Sequence, residues 1–347
     1  MKNNIRVFFT KSVFAMTLAL GFAACASKQP IQTPQPNGVV GFDAELTNYK
    51  YPFEVKTYEF EAQRLKLKMA YMELAAKTAD APVIVLLHGK NYSGFYFAGV
   101  ATRLNEMGYR VIMPDQIGFG KSTKPTDFQY SFQALGGFTD ALLTKLGVTK
   151  YTLLGHSMGG MLAARMALMY PEKIQKLVLV NPIGLEDWKT MTAYRPLDQA
   201  YESELKATPE SIKKYQSDSY FEGAWKPEYD YLIEVGSGWT KNPDFPLVAW
   251  NSALTADMIF TQPVVYEFKD IKVPTFLIVG QRDKTAIGRA WAKEPMKSKM
   301  GNYPVLGRQA AKAIPKSKLY ELKGLGHVPF IEDQELFFKS ALVPALK

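Results

Sequence analysis

The sequence predicts an α/β fold with a mostly parallel central sheet, helices on both of its faces and an inserted helical segment. Three observations support this prediction. Short apolar runs typical of buried strands alternate with helical patterns from about residue 57 onward. The alternation stops between about residues 184 and 263 and then resumes. Repeated strand–helix units form parallel sheets, because each crossover helix returns the chain to the same edge.

The strands are predicted from two hydrophobic patterns. Residues 65–73 alternate apolar side chains with lysines, the period of a half-buried strand, beside a similar segment at residues 57–63. Residues 82–88, PVIVLLH, form a continuous apolar run, as expected of a strand covered on both faces. Further strands are predicted at residues 109–114, 151–154, 176–180, 275–279 and 318–322.

Helical patterns fill the spaces between these strands, including residues 158–170 and 303–313 and a final helix from about Asp333. The α/β core is predicted at residues 51–184 and 263–347. Residues 185–262 contain several prolines and no buried-strand pattern, so they are predicted to form a helical cap.

The composition of the 347 residues excludes several classes of protein. The chain is 47% hydrophobic and 22% charged, which is ordinary for a globular protein and excludes disorder, collagen and coiled coil. The net charge of +9 raises the question of a nucleic-acid partner. The positive charges are scattered without a run of five, so a solvated basic surface and no nucleic-acid partner are predicted.

The first 24 residues are predicted to be an export signal. Lys2, Arg6 and Lys11 precede a short apolar run at residues 12–24, which is too short to span a bilayer. The single cysteine, Cys25, follows this run in a sequence that resembles a lipobox. We therefore expect a bacterial periplasmic or outer-membrane lipoprotein, attached to a membrane only through a lipid on Cys25. The alternative is plain secretion after cleavage at the small-x-small sequence of residues 24–26.

Residues 25–50 are rich in proline, glutamine and asparagine and contain few large apolar side chains. This composition predicts an extended tether between an anchor and the folded domain. The alternative interpretation is an N-terminal arm that packs on the domain.

A G-x-S-x-G sequence at residues 155–159 follows the strand predicted at 151–154 and opens a helix. The glycines permit a tight turn that exposes the Ser157 hydroxyl at the carboxyl edge of the sheet. In this strand–turn–helix context Ser157 is predicted to be a nucleophile. The alternative is a glycine-rich turn in which the serine caps the helix.

A serine hydroxyl needs a general base, and the chain has three histidines. His156 adjoins the nucleophile and His88 ends a buried strand, so both are predicted to be structural. His327 lies in a glycine-rich loop after a predicted strand and is predicted to be the base. Asp283 follows the strand at 275–279 and is predicted to orient His327, with helix capping as the alternative.

A tetrahedral intermediate needs hydrogen-bond donors for its oxyanion. Met158 begins a helix, where backbone N–H groups lack intrahelical partners. The loop His88-Gly89-Lys90-Asn91 follows a buried strand and can turn its amides toward the same crevice. The backbone N–H groups of Lys90 and Met158 are therefore the predicted oxyanion donors, with Asn91 a less favoured one.

The core resembles the α/β-hydrolase superfamily, in particular cap-bearing members such as meta-cleavage-product hydrolases, proline iminopeptidases and small esterases. The resemblance implies the nucleophile–acid–base order that Ser157, Asp283 and His327 follow. It implies a structural role for Asp115, while serine at position 157 argues against epoxide hydrolases and haloalkane dehalogenases. The sequence suggests no metal or organic cofactor. The matching pieces are HGKN (88–91), DQIGFGKS (115–122), GHSMGG (155–160), GQRD (280–283) and GLGH (324–327).

Aromatic residues concentrate in the predicted cap and just after the predicted oxyanion loop. Phe95, Tyr96, Trp188 and Trp225 are the predicted substrate-binding residues, favouring an apolar acyl group on a small-molecule substrate. The alternative is that these aromatics form a core of the cap itself.

The sequence thus predicts an exported serine hydrolase that cleaves a small, apolar carboxylic ester through an acyl-enzyme. A C–C bond hydrolase or a proline iminopeptidase on the same fold remains an alternative, because a fold does not determine its substrate. Two non-enzymatic alternatives are a slow-turnover ligand-binding protein and a basic lipoprotein that acts in surface interactions.

Overall fold

The computed structural model describes residues 41–347. The predicted export signal, Cys25 and residues 25–40 of the predicted tether lie outside the described residues. Within the described range, no helix is both long and apolar enough to cross a membrane.

Eight strands form one sheet in the order β1-β2-β4-β3-β5-β6-β7-β8. β2 runs antiparallel to both β1 and β4, and every other neighbouring pair is parallel. The predicted fold class is therefore confirmed. The strands are β1 Val55–Ala62, β2 Leu65–Leu74, β3 Val83–Leu87, β4 Arg110–Pro114, β5 Tyr151–His156, β6 Ile174–Val180, β7 Thr275–Gly280 and β8 Ser317–Leu322.

The buried strands divide their side chains between two hydrophobic cores, one on each face of the sheet. In β3, Val85 and Leu87 belong to one core, and Ile84 and Leu86 belong to the other. Successive side chains of a strand point to opposite faces, so covering both faces requires an unbroken apolar run. This requirement explains the sequence PVIVLLH.

The helices that cover the two faces alternate with the strands. The helix predicted from about Asp333 is confirmed as one continuous helical segment, in which π-helical residues Phe338–Leu342 join the α-helical residues Gln334–Phe337 to Val343–Leu346. The helices are α1 Ala98–Glu106, α2 Phe132–Lys145, α3 Met158–Met169, α4 Leu197–Glu204, α5 Pro209–Tyr220, α6 Tyr231–Trp239, α7 Phe245–Thr261, α8 Met296–Lys299, α9 Tyr303–Ala313, α10 Pro329–Glu332, α11 Gln334–Phe337 and α12 Val343–Leu346.

Residues 185–262, hereafter the helical insertion, connect β6 to β7 through α4 to α7. α4 packs against α7, and α5 packs against α6. The insertion begins a few residues after the carboxyl end of β6. Its helices therefore start at the edge of the sheet where the neighbouring parallel strands also end.

Residues 41–51 form an N-terminal arm that packs on the domain, so the prediction of a tether is wrong for residues 41–50. The Phe42 N–H donates to the Gly238 carbonyl of α6 at 3.1 Å. The Trp239 indole N–H donates to the Asp43 carbonyl at 3.0 Å. Phe42 is 5% exposed, because its ring packs against the helical insertion. The polar average composition of this segment favoured a tether, but a few of its aromatic side chains are enough to pack it against the domain.

The same arm also contacts the α/β core. Glu45 forms an ion pair with Lys68 of β2 at 2.6 Å. The Tyr51 hydroxyl donates to Asp115 at 2.7 Å and lies 2.7 Å from the Ser93 hydroxyl. The arm therefore joins the helical insertion to the core.

The close approach of Phe42 to Gly238 gives a testable prediction about this connection. A Cβ on Gly238 would overlap the Phe42 ring. Gly238→Ala is expected to lower the free energy of unfolding, since overpacking costs about 1–3 kcal/mol and outweighs the gain in helix propensity of about 1 kcal/mol. Urea denaturation measures the difference.

Gly236→Ala is the matched control in the same helix. Its Cβ would meet Ile212 at an ordinary distance of 3.4 Å. This variant is expected to be as stable as the unaltered protein or slightly more stable. Equal stability of the two alanine variants would contradict the proposed docking contact.

Candidate active site

Five strand ends bring their following residues to one edge of the sheet. Gly89 follows β3, Ser157 follows β5, Asn181 follows β6, Asp283 follows β7 and His327 follows β8. In open α/β sheets the crevice outside the carboxyl ends of the strands is the usual binding position. The predicted nucleophile, acid and base are therefore on one edge.

Ser157 occupies a strained turn between β5 and α3, with φ 56° and ψ −122°. A Cβ at Gly155 would overlap the Gly159 carbonyl, and a Cβ at Gly159 would overlap the Leu87 carbonyl. Only glycine fits both positions, because backbone meets backbone there. The Ser157 hydroxyl does not cap α3 and instead lines a cavity. Strain of this kind at a cavity is typical of functional sites.

His327 and Asp283 form a buried pair, with Nδ1 and Oδ2 2.6 Å apart. Asp283 also accepts the Asn181 side-chain amide at 2.8 Å and the Thr285 N–H at 2.8 Å. A carboxylate with three donors holds the histidine proton on Nδ1. His327 Nε2 then carries the lone pair, and it has no hydrogen-bond partner in the described part of the chain.

The loop that carries His327 is held from both sides. The His327 N–H donates to the carbonyl of Tyr220, the last residue of α5, at 2.9 Å, and the two rings lie 4.4 Å apart. On the other side, Glu332 accepts the Gly326 N–H at 2.5 Å and pairs with Arg282 at 2.5 Å. Burial raises the pKa of Glu332. The helical insertion therefore helps to shape this loop.

The loop after β3 lies directly against Ser157. A Cβ on Gly89 would stand 3.0 Å from the Ser157 Cβ. The Gly89 carbonyl accepts the Tyr92 N–H at 3.2 Å, and the Lys90 N–H of the same peptide points the opposite way. The amides of Lys90 and Met158 donate to no acceptor within residues 41–347.

Asn91, the less favoured oxyanion donor, is engaged elsewhere. Its side-chain amide donates to the Tyr220 hydroxyl at 2.7 Å. This bond is a second contact between the helical insertion and the core beside the site.

A cavity of about 720 Å³ opens onto Ser157 between the core and the helical insertion. Its cationic members include Lys90, whose Nζ donates to the Ser252 hydroxyl at 2.7 Å, and Lys124. Burial lowers the pKa of Lys124 to about 8. Apolar side chains supply much of the rest of the wall, among them Phe119, Ile183, Ile212, Leu232, Val248 and Phe260.

The four predicted substrate-binding residues do not line this cavity. Phe95 packs against Tyr49 and Tyr51 of the N-terminal arm. Tyr96 is buried, with its hydroxyl 2.7 Å from His156 Nδ1. Both side chains point away from the crevice, because they belong to the core that the arm covers.

The two predicted tryptophans of the insertion also lie elsewhere. The Trp188 indole N–H donates to Glu186 at 3.1 Å, and Trp225 packs edge-on against Phe221. These aromatics bury surface within the insertion and against the core, which was the alternative interpretation. Trp239 and Trp291 line the cavity instead.

Asn181 and Tyr220 are site residues that the sequence reasoning missed. Asn181 had a detectable signal, since a polar residue directly follows the buried strand β6, in the same way that Asp283 closely follows β7. Tyr220 had no such signal in the sequence, because its contact with His327 depends on how α5 packs over the sheet.

Comparison with known proteins identifies the family. A model of the alpha/beta hydrolase fold matches residues 82–217. The solved structure of a probable hydrolytic enzyme from Pseudomonas aeruginosa is 44% identical, covers 89% of this chain and 99% of its own, and superposes with a TM-score of 0.87. The chain belongs to the α/β-hydrolase family. The predicted resemblance is therefore confirmed.

Other α/β hydrolases are more distant relatives. Lipase 1 of Psychrobacter immobilis is 24% identical over 330 residues, which is 92% of each chain. A haloalkane dehalogenase from Mycolicibacterium paratuberculosis is 29% identical over 168 residues, 45% of this chain and 55% of that relative. The chain thus spans about half the length of the first curated relatives it matches. Its neighbours within this family include this lipase and, at 21% identity with a TM-score of 0.63, an esterase from Exiguobacterium antarcticum.

The buried histidines of this α/β hydrolase give a pH prediction. Burial lowers the pKa of His88 and His156 below the usual 6.5. Between pH 6.5 and the lowered values, the unfolded chain therefore binds protons that the folded chain does not. The free energy of unfolding is expected to fall as the pH drops below 6.5, by up to about 1.4 kcal/mol per pH unit for each histidine.

Urea denaturation at pH 7.5, 6.5 and 5.5 measures this dependence. His156→Gln removes one of the two groups and is expected to make the decline between pH 6.5 and 5.5 shallower. An identical decline in the variant would show that His156 is not held neutral in the folded protein.

Proposed function

We propose that the protein is an exported serine hydrolase that cleaves a small, apolar carboxylic ester through an acyl-enzyme. The observation that carries the proposal is the buried hydrogen bond between His327 Nδ1 and Asp283, on the sheet edge that also bears the strained Ser157. In this proposal Ser157 is the nucleophile, His327 the general base and Asp283 the residue that orients it.

The proposed reaction has two halves. Ser157 Oγ attacks the ester carbonyl carbon while His327 Nε2 takes the hydroxyl proton. The tetrahedral oxyanion accepts the Lys90 and Met158 N–H groups, and its collapse expels the alcohol, which takes the proton from His327. Water then attacks the acyl carbonyl carbon while His327 Nε2 takes its proton. Collapse of this second intermediate breaks the bond between the acyl carbon and Ser157 Oγ, His327 returns the proton to Oγ, and the carboxylic acid leaves. Asp283 stabilises the imidazolium in both halves.

The apolar lining of the cavity supports the proposal that the substrate carries an apolar acyl group. Side chains of the core and of the helical insertion line the cavity at Ser157, where they would bury the apolar surface of a bound substrate. We propose that the insertion is a cap that holds the acyl chain. Each buried methylene contributes about 0.8 kcal/mol to the binding free energy of the acyl chain. An apolar wall therefore discriminates between substrates by the length of their acyl chain.

The proposal includes export. Lys2, Arg6 and Lys11, followed by the apolar run of residues 12–24, support a signal peptide, and Cys25 at the end of that run supports lipidation. We propose that the mature enzyme is a periplasmic or outer-membrane lipoprotein whose membrane contact is the lipid on Cys25.

The role of Ser157 is tested with a fluorophosphonate probe and a nitrophenyl ester. Ser157→Ala is expected to lose labelling and to lower kcat by at least about 10³, and His327→Ala is expected to lose labelling as well. Peptide mass spectrometry of the unaltered protein is expected to locate the adduct on Ser157.

Ser252→Ala is the matched control, since Ser252 lines the same cavity and its hydroxyl accepts a hydrogen bond from Lys90 Nζ. This variant is expected to keep the label on Ser157. Full turnover by a folded Ser157→Ala protein would overturn the proposed mechanism. A folded protein that the probe does not label would favour the ligand-binding alternative.

A series of nitrophenyl esters of increasing acyl length tests the proposed substrate class. The value of kcat/KM is expected to rise by up to about fourfold per methylene, the equivalent of about 0.8 kcal/mol, until the cavity is filled and then to fall. No dependence on acyl length would contradict an acyl site in this cavity.

Mass spectrometry of the protein purified from bacterial membranes tests lipidation. The mature chain is expected to begin at Cys25 and to carry a diacyl or triacyl adduct, and Cys25→Ser is expected to abolish the adduct. An unmodified chain that starts at Ser27 would support plain secretion instead.

A further inference from the structure

We infer that His88, Tyr96 and His156 form a hydrogen-bond relay that positions the oxyanion loop and the His327 loop relative to each other. The existence of the relay is inferred from hydrogen-bond geometry alone. Its expected effect on turnover rests on the proposed function. Tyr96 and His156 were assigned other roles from the sequence, and neither one lines the cavity. All three are positioning residues.

One end of the relay is His156. Its Nε2 lies 2.7 Å from the His327 carbonyl, and its Nδ1 lies 2.7 Å from the Tyr96 hydroxyl. A carbonyl only accepts, so Nε2 must carry the proton. Burial lowers the pKa of His156 and keeps the ring neutral, so Nδ1 is an acceptor. The Tyr96 O–H therefore donates to His156.

The other end is Gly89. Its N–H donates to the Tyr96 oxygen at 3.0 Å, and its carbonyl lies 2.9 Å from His88 Nδ1. The carbonyl requires the proton on Nδ1, and His88 Nε2 then accepts the Gln116 N–H at 3.0 Å. His88 and His156 are thus held as opposite neutral tautomers.

The relay acts on the two groups that the reaction needs. His88 holds the Gly89 carbonyl, and the N–H on the same peptide is the proposed Lys90 oxyanion donor. His156 holds the carbonyl of His327, the proposed base. Tyr96 joins the two ends, and it is 3% exposed in a close-packed aromatic environment. Movement of one loop therefore disturbs bonds on the other.

Tyr96→Phe removes the hydroxyl that links the ends. We expect kcat for a nitrophenyl ester to fall about 10- to 100-fold, because oxyanion donors lose effect when they are misplaced. KM is expected to stay within about twofold, since Tyr96 does not line the cavity. A loss confined to kcat separates positioning from general loosening of the binding site.

Tyr151→Phe is the matched control. Tyr151 is fully buried in β5, and its hydroxyl has no hydrogen-bond partner in the described part of the chain. It is expected to keep kcat within about twofold of the unaltered protein. Equal kcat values for Tyr96→Phe and Tyr151→Phe, with both proteins folded, would overturn the relay.

Replacements of His156 test the other end of the relay. His156→Gln keeps an N–H that can donate to the His327 carbonyl, whereas His156→Leu does not. We expect the glutamine variant to retain at least about tenfold more kcat than the leucine variant. Equal losses in two folded variants would contradict the bond to His327.

Nitrogen NMR of the histidine rings in the Ser157→Ala protein tests the geometry without turnover. We expect His88 to be protonated on Nδ1 and His156 on Nε2. Tyr96→Phe is expected to shift the His156 signals. It is also expected to shift the His327 signals, because His156 is bonded to the His327 carbonyl. The opposite tautomers would overturn the relay. Turnover by Ser157→Ala would overturn the proposed function but leave these assignments standing.

Discussion

Backbone touches backbone where β3, β5 and α3 meet, and the geometry of the site depends on that contact. Gly155 and Gly159 have no room for a Cβ, because carbonyl oxygens already occupy the space. The turn is tight enough to hold Ser157 at positive φ and to bring it against Gly89 of the neighbouring strand end. A larger residue at position 155 or 159 would separate the strand ends that the proposed chemistry needs together.

Two segments outside the α/β core complete the site. Tyr220, at the end of α5, holds the His327 backbone and contacts Asn91. The N-terminal arm binds α6 through Phe42 and the core through Tyr51. The helical insertion is therefore part of the candidate site and not a separate lid over it. Its position affects the loop of the proposed base, which links cavity shape to the geometry of the proposed reaction.

The fold class and the site's strand-end residues could be predicted from the sequence, because both follow from local patterns. Buried parallel strands need unbroken apolar runs, and polar residues after them must meet at one edge. The cavity wall could not be predicted in this way. Aromatic content in the insertion did not indicate which rings face the cavity, since Trp188 and Trp225 pack within the protein while Trp239 and Trp291 line the wall.

The sequence by itself determined the alternation of strands and helices, the glycine turn around Ser157 and the chain order of Ser157, Asp283 and His327. Each depends on neighbouring residues or on the rule that parallel strands end together. Only the tertiary structure decided the contacts of Tyr220 and Asn181, the docking of the N-terminal arm and the tautomers of His88 and His156. These depend on pairs far apart in the chain, where the partner's position, rather than residue type, selects which atom donates and which accepts.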